Sequence, residues 1–220
     1  MNVLWINQEV TLPLTKSVID KQVEAAEIMG RVCYKSEPKG DPIAFLSRII
    51  NRGHESVIEH INIPAVLSTD RAVTHQLVRH RHMSVSMESQ RYVNYDRKGI
   101  ICFVRPQFFN DEKVDPKTIE EFKDICQNLA EKYVELVQGG LPPEEARGLL
   151  PNCTATVIGV TANLREWRHI FRMRLDGAAQ PQIRALLLAL RQKMELKYDL
   201  AWAFKDIPVD TNRLHSVPEL

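Results

Sequence analysis

Residues 79–92 read RHRHMSVSMESQRY: three arginines, two histidines, three serines and a tyrosine against one carboxylate, Glu88. Guanidinium forks suit phosphate oxygens, and serine hydroxyls with backbone N–H groups complete such a cradle. The whole chain carries 29 Lys+Arg and 28 Asp+Glu, so the cation excess is local and an anionic ligand is the chemistry it suggests. On composition alone, an exposed polar loop is the competing reading. Met83, Val85 and Met87, interleaved with the polar groups, point instead to a segment partly packed against the protein.

Two further stretches carry candidate chemistry. GHESVIEH (53–60) superficially resembles a zinc-protease helix, which needs histidines four apart. His54 and His60 are six apart, roughly 600° around a helix, so they oppose each other and the zinc reading fails. In NLREWRHIFRMRLDG (163–177) Arg165, His169 and Arg172 share a polar face, with Trp167, Ile170 and Phe171 opposite. Arg174, seven residues after Trp167, falls on the apolar side. A guanidinium there needs an anion, either a buried carboxylate or a ligand, unless it escapes past Asp176 to water. Arg147, in EEARGLLP, is individually uninformative.

The elements that must position these residues follow from periodicity and capping. Helices are expected over 15–34, with Thr15 as cap and Val18, Val23, Ala26 and Met29 along one face, and over 41–53, with Asp41 as N-cap, Pro42 in the first turn and Gly53 as stop. Residues 61–70 alternate as a strand, with Pro64 favouring an edge. AVTHQLVRH (72–80) reads as a helix leading into the arginine-rich stretch, and 99–106 as a short strand. A long helix from Pro116 to Gly139, a short one in PPEEARGLLP, a strand over 154–162 and two helices divided near Gly177, the second running to Phe204, complete the chain. The mixed order predicts one α+β domain over 1–220, with a central, mostly antiparallel sheet flanked by long helices.

Composition narrows the class. With 44% hydrophobic and 26% charged residues the chain suits an ordinary soluble globular protein. A net charge of +1 argues against a general nucleic-acid binder, the rival reading of RHRH and RMR, while leaving room for a small basic pocket. The N-terminus MNVLWINQEVTLPL lacks a basic segment followed by a long apolar run, so neither secretion nor a membrane is expected. Cys33, Cys102, Cys126 and Cys153 are scattered without a C-x-x-C pair, suggesting neither a zinc knuckle nor a dithiol redox site, and a cytoplasmic setting.

Taken together, these motifs resemble the flavin-dependent thymidylate synthases. Arg79-His80-Arg81, seven residues and Ser89 match that family's R-H-R-x7-S signature; GHESVIEH is similar to its G-H-E-[ST]-x-x-E-H segment; SQRY, ARGLLP and NLREWRHIFRMRLDGAAQ follow in the family's order. The resemblance implies methylation of dUMP to dTMP, with methylenetetrahydrofolate as carbon donor, hydride from NADPH through FAD, and no cysteine nucleophile. It also implies a homotetramer with active sites shared between subunits. By position, His54, Ser56, Arg79, His80, Arg81, Arg165 and His169 would contact FAD. Gln76, Arg79, Ser89, Gln90, Arg91, Arg147 and Arg174 would bind dUMP, with Arg174 polarising the uracil. Ser89 as a covalent nucleophile is disfavoured, because no adjacent base is evident. The chain departs from the family pattern at Cys33, Ser86, Met87 and Ala178; Met87 stands where a glutamate or glutamine is usual. A flavin- or nucleotide-binding relative without synthase activity is the reading these departures prompt.

Overall fold

The computed structural model describes residues 2–33, 35–93, 95 and 99–219. Strands β1 (Asn2–Ile6) and β2 (Glu9–Thr11) precede helices α1 (Lys16–Val32) and α2 (Pro42–Asn51) and a 3-10 turn, Glu55–His60. Then come β3 (Asn62–Asp70), α3 (Arg71–Leu77), β4 (Met83–Met87), β5 (Ile100–Val104), α4 (Pro116–Gln138) and α5 (Pro143–Ala146). Strand β6 (Ala155–Asn163) leads into α6 (Leu164–Arg174), α7 (Pro181–Tyr198) and α8 (Ala201–Phe204).

Among the described residues the architecture is α+β, with an antiparallel four-stranded sheet in the order β2-β3-β6-β4. Strict alternation in β3 and β6 sets its register. Ile63, Ala65 and Leu67 pair with Ala162, Val160 and Ile158, and all six are buried on one face. Helices α1, α2, α6 and α7 cover that face. Pro64 is tolerated because β2 reaches only Val66–Ser68, so the strand is locally an edge at the proline. Strands β1 and β5 form a separate parallel pair. Ile101 and Phe103 of β5 pack on Cys126, Ala130 and Tyr133 of α4 in a second apolar cluster.

Several expectations need correction. The phase of α1 is set by Ile19, Val23, Ala26 and Gly30, which turns Val18 and Met29 to the exterior. Thr15 does occupy the N-cap position but makes no side-chain capping bond, and Tyr34 lies outside the described residues. A Cβ on Gly30 would come within 2.9 Å of both Phe45 and Val57, so this glycine allows α2 and the 55–60 turn to close on α1. Asp41 caps α2 as expected, accepting from the Ile43 amide. The last helix does not run to Phe204: Asp199 adopts a left-handed conformation (φ 60°) and ends α7 at Tyr198, before the short α8.

Strand β4 is the main unexpected element, because it forms inside the arginine-rich stretch. It pairs with β6 at the sheet edge and turns Met83, Val85 and Met87 towards the core side. Only Met83 packs on the core; Val85 and Met87 lie past the helical layer and remain exposed.

Candidate active site

Two helix starts and one strand edge bring the candidate residues together. Asp70 ends β3 and caps α3 by accepting from the Val73 amide at 2.7 Å. Asn163 ends β6 and caps α6 in the same way through the Glu166 amide at 2.8 Å. Because β3 and β6 are paired neighbours, α3 and α6 leave opposite ends of one ladder with fixed positions. The segment after α3 then crosses towards α6 before entering β4.

The crossing is made at His80, which is buried while Arg79 and Arg81 on either side are exposed. Arg174, at the end of α6, donates from Nε to Nε2 of His80 at 3.0 Å and from Nη2 to the Gln76 carbonyl at 3.3 Å. Since Nε2 accepts, the ring proton of neutral His80 sits on Nδ1, which faces Glu166 Oε1 at 4.0 Å. Burial, then the Arg174 charge and His169, push the His80 pKa down to about 4. Both groups that Arg174 touches are therefore uncharged near neutrality. Among the described residues no carboxylate pairs with it, so this half-buried guanidinium keeps its charge for an anion. The Gln76 side chain donates to Oε1 of Gln180, linking α3 to the start of α7.

Beside this contact lies a cleft of ≈ 590 Å³, lined by Glu55, Glu59, His82, Asn163, Arg165, Glu166, His169 and Arg172. Arg165 forms an ion pair with Glu59 at its rim, where both side chains are about half-exposed. His169 stands edge-on to His80 with ring centroids 5.7 Å apart. Arg165, His82 and His169 line the cleft, and Arg79 and Arg81, which do not line it, are exposed on either side of buried His80; these are the kinds of donor a diphosphate needs. The cleft is also within the usual size range for cofactor sites. The donor set therefore fits a flavin dinucleotide.

His54 and Ser56 are exposed on either side of Glu55 and do not line the cleft themselves. Glu55 is held from below by Arg168, which is fully buried. The Arg168 fork reaches Glu55 Oε1 at 3.0 Å and Asp206 Oδ2 at 2.7 Å, and it also donates to the Ala203 carbonyl. Arg172 joins the same carboxylates at 2.8 and 3.2 Å. Hydrogen bonds from Arg168 and Arg172 hold Glu55 below the ordinary carboxylate range against the cost of its burial. Asp206, bonded first to Arg168, is lowered to about 2.

The remaining candidates form a second group beyond β4. Ser89 Oγ accepts from the Arg91 amide at 3.3 Å, and Gln90 is buried. Arg91 Nε donates to Glu144 Oε2 at 3.0 Å, while Arg147 Nε donates to the Glu144 carbonyl at 3.0 Å. Glu144 thus gathers Arg91 and Arg147 although they are far apart in sequence. Arg71 supports this loop from beneath, donating to the Glu88 carbonyl at 3.2 Å and to Thr156 at 3.3 Å.

Sequence reasoning missed His82, Glu59, Glu166, Arg168 and Glu144. Glu59 and His82 were visible within the two motifs. Arg168 offered one signal, a cation between Trp167 and Ile170 on the buried flank of an amphipathic helix.

The family model described as thymidylate synthase complementing protein matches residues 17–198. A protein named flavin-dependent thymidylate synthase from Geobacter sulfurreducens is 38% identical over 176 residues, covering 76% of this chain and 74% of the relative. One from Pyrococcus furiosus is 36% identical over 157 residues, covering 70% and 63%. A probable flavin-dependent thymidylate synthase of Mycobacterium phage D29 is 36% identical over 202 residues, covering 85% and 84%. With the motifs, the arginine-lined cleft and matches over most of its length in agreement, this chain belongs to the flavin-dependent thymidylate synthase family of enzymes.

Proposed function

We propose that the protein methylates dUMP to dTMP, taking the one-carbon unit from methylenetetrahydrofolate and reducing equivalents from NADPH, as a single cytoplasmic domain. The observation that carries this reading is the charge of Arg174, held half-buried between neutral His80 and a carbonyl without a carboxylate partner among the described residues. A uracil ring made nucleophilic at C5 develops enolate-like charge on its oxygen, and a fixed cation stabilises that charge best where water is scarce. His80 orients the guanidinium without neutralising it, since its pKa of about 4 keeps it an acceptor.

FAD, when bound, supplies the hydride chemistry. Arg79, Arg81, Arg165 and His169 would hold it, with His54 and Ser56 at the margin and His80 behind them. Gln76, Arg79, Ser89, Gln90, Arg91 and Arg147 would bind the nucleotide, the arginines taking its phosphate. We further propose a homotetramer with shared sites, in which a second copy would cover Val85 and Met87, apolar side chains exposed beside the substrate stretch.

The test is dTMP formation from dUMP, methylenetetrahydrofolate and NADPH by FAD-loaded protein. Production of dTMP that requires all three supports the reading. Flavin bleaching by NADPH without dTMP would replace it with a flavoprotein that has lost synthase activity.

A further inference from the structure

Cys126 and Cys153 are 27 residues apart in sequence, yet their sulfurs lie 3.8 Å from each other. The absence of a C-x-x-C spacing was therefore a poor guide to thiol proximity. Cys126 sits on the inner face of α4 with Ala130 and Tyr133; Cys153 sits in the turn that enters β6, beside the bridge between Phe103 and Thr154. Cys126 is 2% exposed, whereas Cys153 is half-buried and the more open of the two.

We propose that this pair is an oxidation site that forms an intramolecular disulfide with a peroxide as oxidant. A disulfide bond is about 2.05 Å long, so the sulfurs, 3.8 Å apart, must close by roughly 1.8 Å. The thiolate of Cys153, the more open of the two, takes one oxygen of the peroxide, forming sulfenic acid and releasing hydroxide. The Cys126 sulfur then attacks that of Cys153, the S–S bond forms, and the hydroxyl leaves with the Cys126 proton as water. Two thiols are oxidised by two electrons and one peroxide is reduced to two waters.

The loop so closed contains the second half of α4, α5, Glu144 and Arg147. Oxidation would tie the Glu144–Arg147 segment, and through Glu144 the Arg91 side chain, to the start of β6. The inference rests on the sulfur geometry and does not depend on which substrate the enzyme takes.

The experiment is mass spectrometry of the native, full-length protein after graded hydrogen peroxide, with free thiols alkylated before digestion. Expected are a mass loss of about 2 Da, a linked peptide pair holding Cys126 and Cys153, joint loss of both from the alkylated pool, and recovery with a dithiol reductant. Cys33, which is exposed, is the internal reference for peroxide dose. If Cys126 and Cys153 stay fully alkylatable at a dose that oxidises Cys33, the proposal is overturned. It is equally overturned if Cys153→Ser leaves the reductant-sensitive loss of Cys126 unchanged. The wild-type measurement stands without any variant having to fold.

Discussion

Arg174 and His80 meet through a single 3.0 Å hydrogen bond in which the cation donates and the neutral imidazole accepts. One residue ends α6 and the other follows α3, 94 residues earlier, so the bond joins the two motifs that carry the chemistry. A carboxylate in place of His80 would cancel the charge. An imidazole directs the guanidinium and leaves its charge available.

Replacing Arg174 by alanine should therefore lower dTMP formation by at least about 10²-fold, the scale set by removing a donor from developing charge. Nucleotide binding should weaken, while the yellow absorbance of bound flavin persists. Turnover near the wild-type rate would remove Arg174 from the reacting centre.

The same contact predicts a pH signature. The folded pKa of His80, about 4, lies below the ordinary value of 6.5, so as pH falls the unfolded chain takes up this proton first. Its contribution to stability is full above pH 6.5 and declines between 6.5 and 4. Thermal unfolding of the ligand-free protein across that window should show the decline, and His80→Gln should flatten it. An imidazole NMR titration placing His80 above its ordinary value of 6.5 would contradict the neutral-acceptor role.

Arg168 supports the GHES segment, and its loss should be felt as stability before activity. Arg168→Met leaves Glu55 and Asp206 with only the more exposed Arg172, and losing the buried charged hydrogen bonds should cost about 1.5–3 kcal/mol. Arg168→Lys should recover little, since one ammonium cannot bridge both carboxylates as the fork does. Asp206 is held at about 2, below its ordinary 3.8, so its pairing stabilises above pH 3.8 and is lost as pH falls through 2. Denaturant midpoints of the variants at pH 7 and pH 3 provide the measurement, and a midpoint for Arg168→Met unchanged at pH 7 would refute the anchoring role.

Met87 lies at the end of β4 with its side chain exposed. Met87→Gln restores a polar group at that position and should lower KM for dUMP by about 3–10-fold, the worth of one added hydrogen bond. Ser89→Ala should keep measurable turnover, because Ser89 Oγ already accepts from the Arg91 amide and has no general base assigned to it. Complete loss of turnover with dUMP still bound would restore the nucleophile role.

Local chemistry made much of this legible without coordinates. Asp41 and Pro42 announce the start of α2, the alternation in β6 announces a strand, and the 3.6-residue period of α6 separates Arg165 and His169 from Trp167 and Phe171. Strand β4 was legible in the strict alternation of Met83, Val85 and Met87 with Ser84 and Ser86, but the surrounding arginines and histidines gave the stretch the look of a loop. The face of α1 was misplaced because Val18 and Met29 are apolar yet exposed, while Gly30 marks the contact with Phe45 and Val57.

Sequence by itself determined the residue types, most helix and strand positions, the Asp41 cap and the family motifs, since these depend on neighbours within a few positions. Only the tertiary structure decided which charges are cancelled. Arg168 finds Glu55 across 113 residues and Asp206 across 38, Arg174 finds a neutral histidine, and Cys126 finds Cys153. Those pairings follow from sheet register and from which helix face is buried against which neighbour. They are long-range outcomes of packing that no local period encodes.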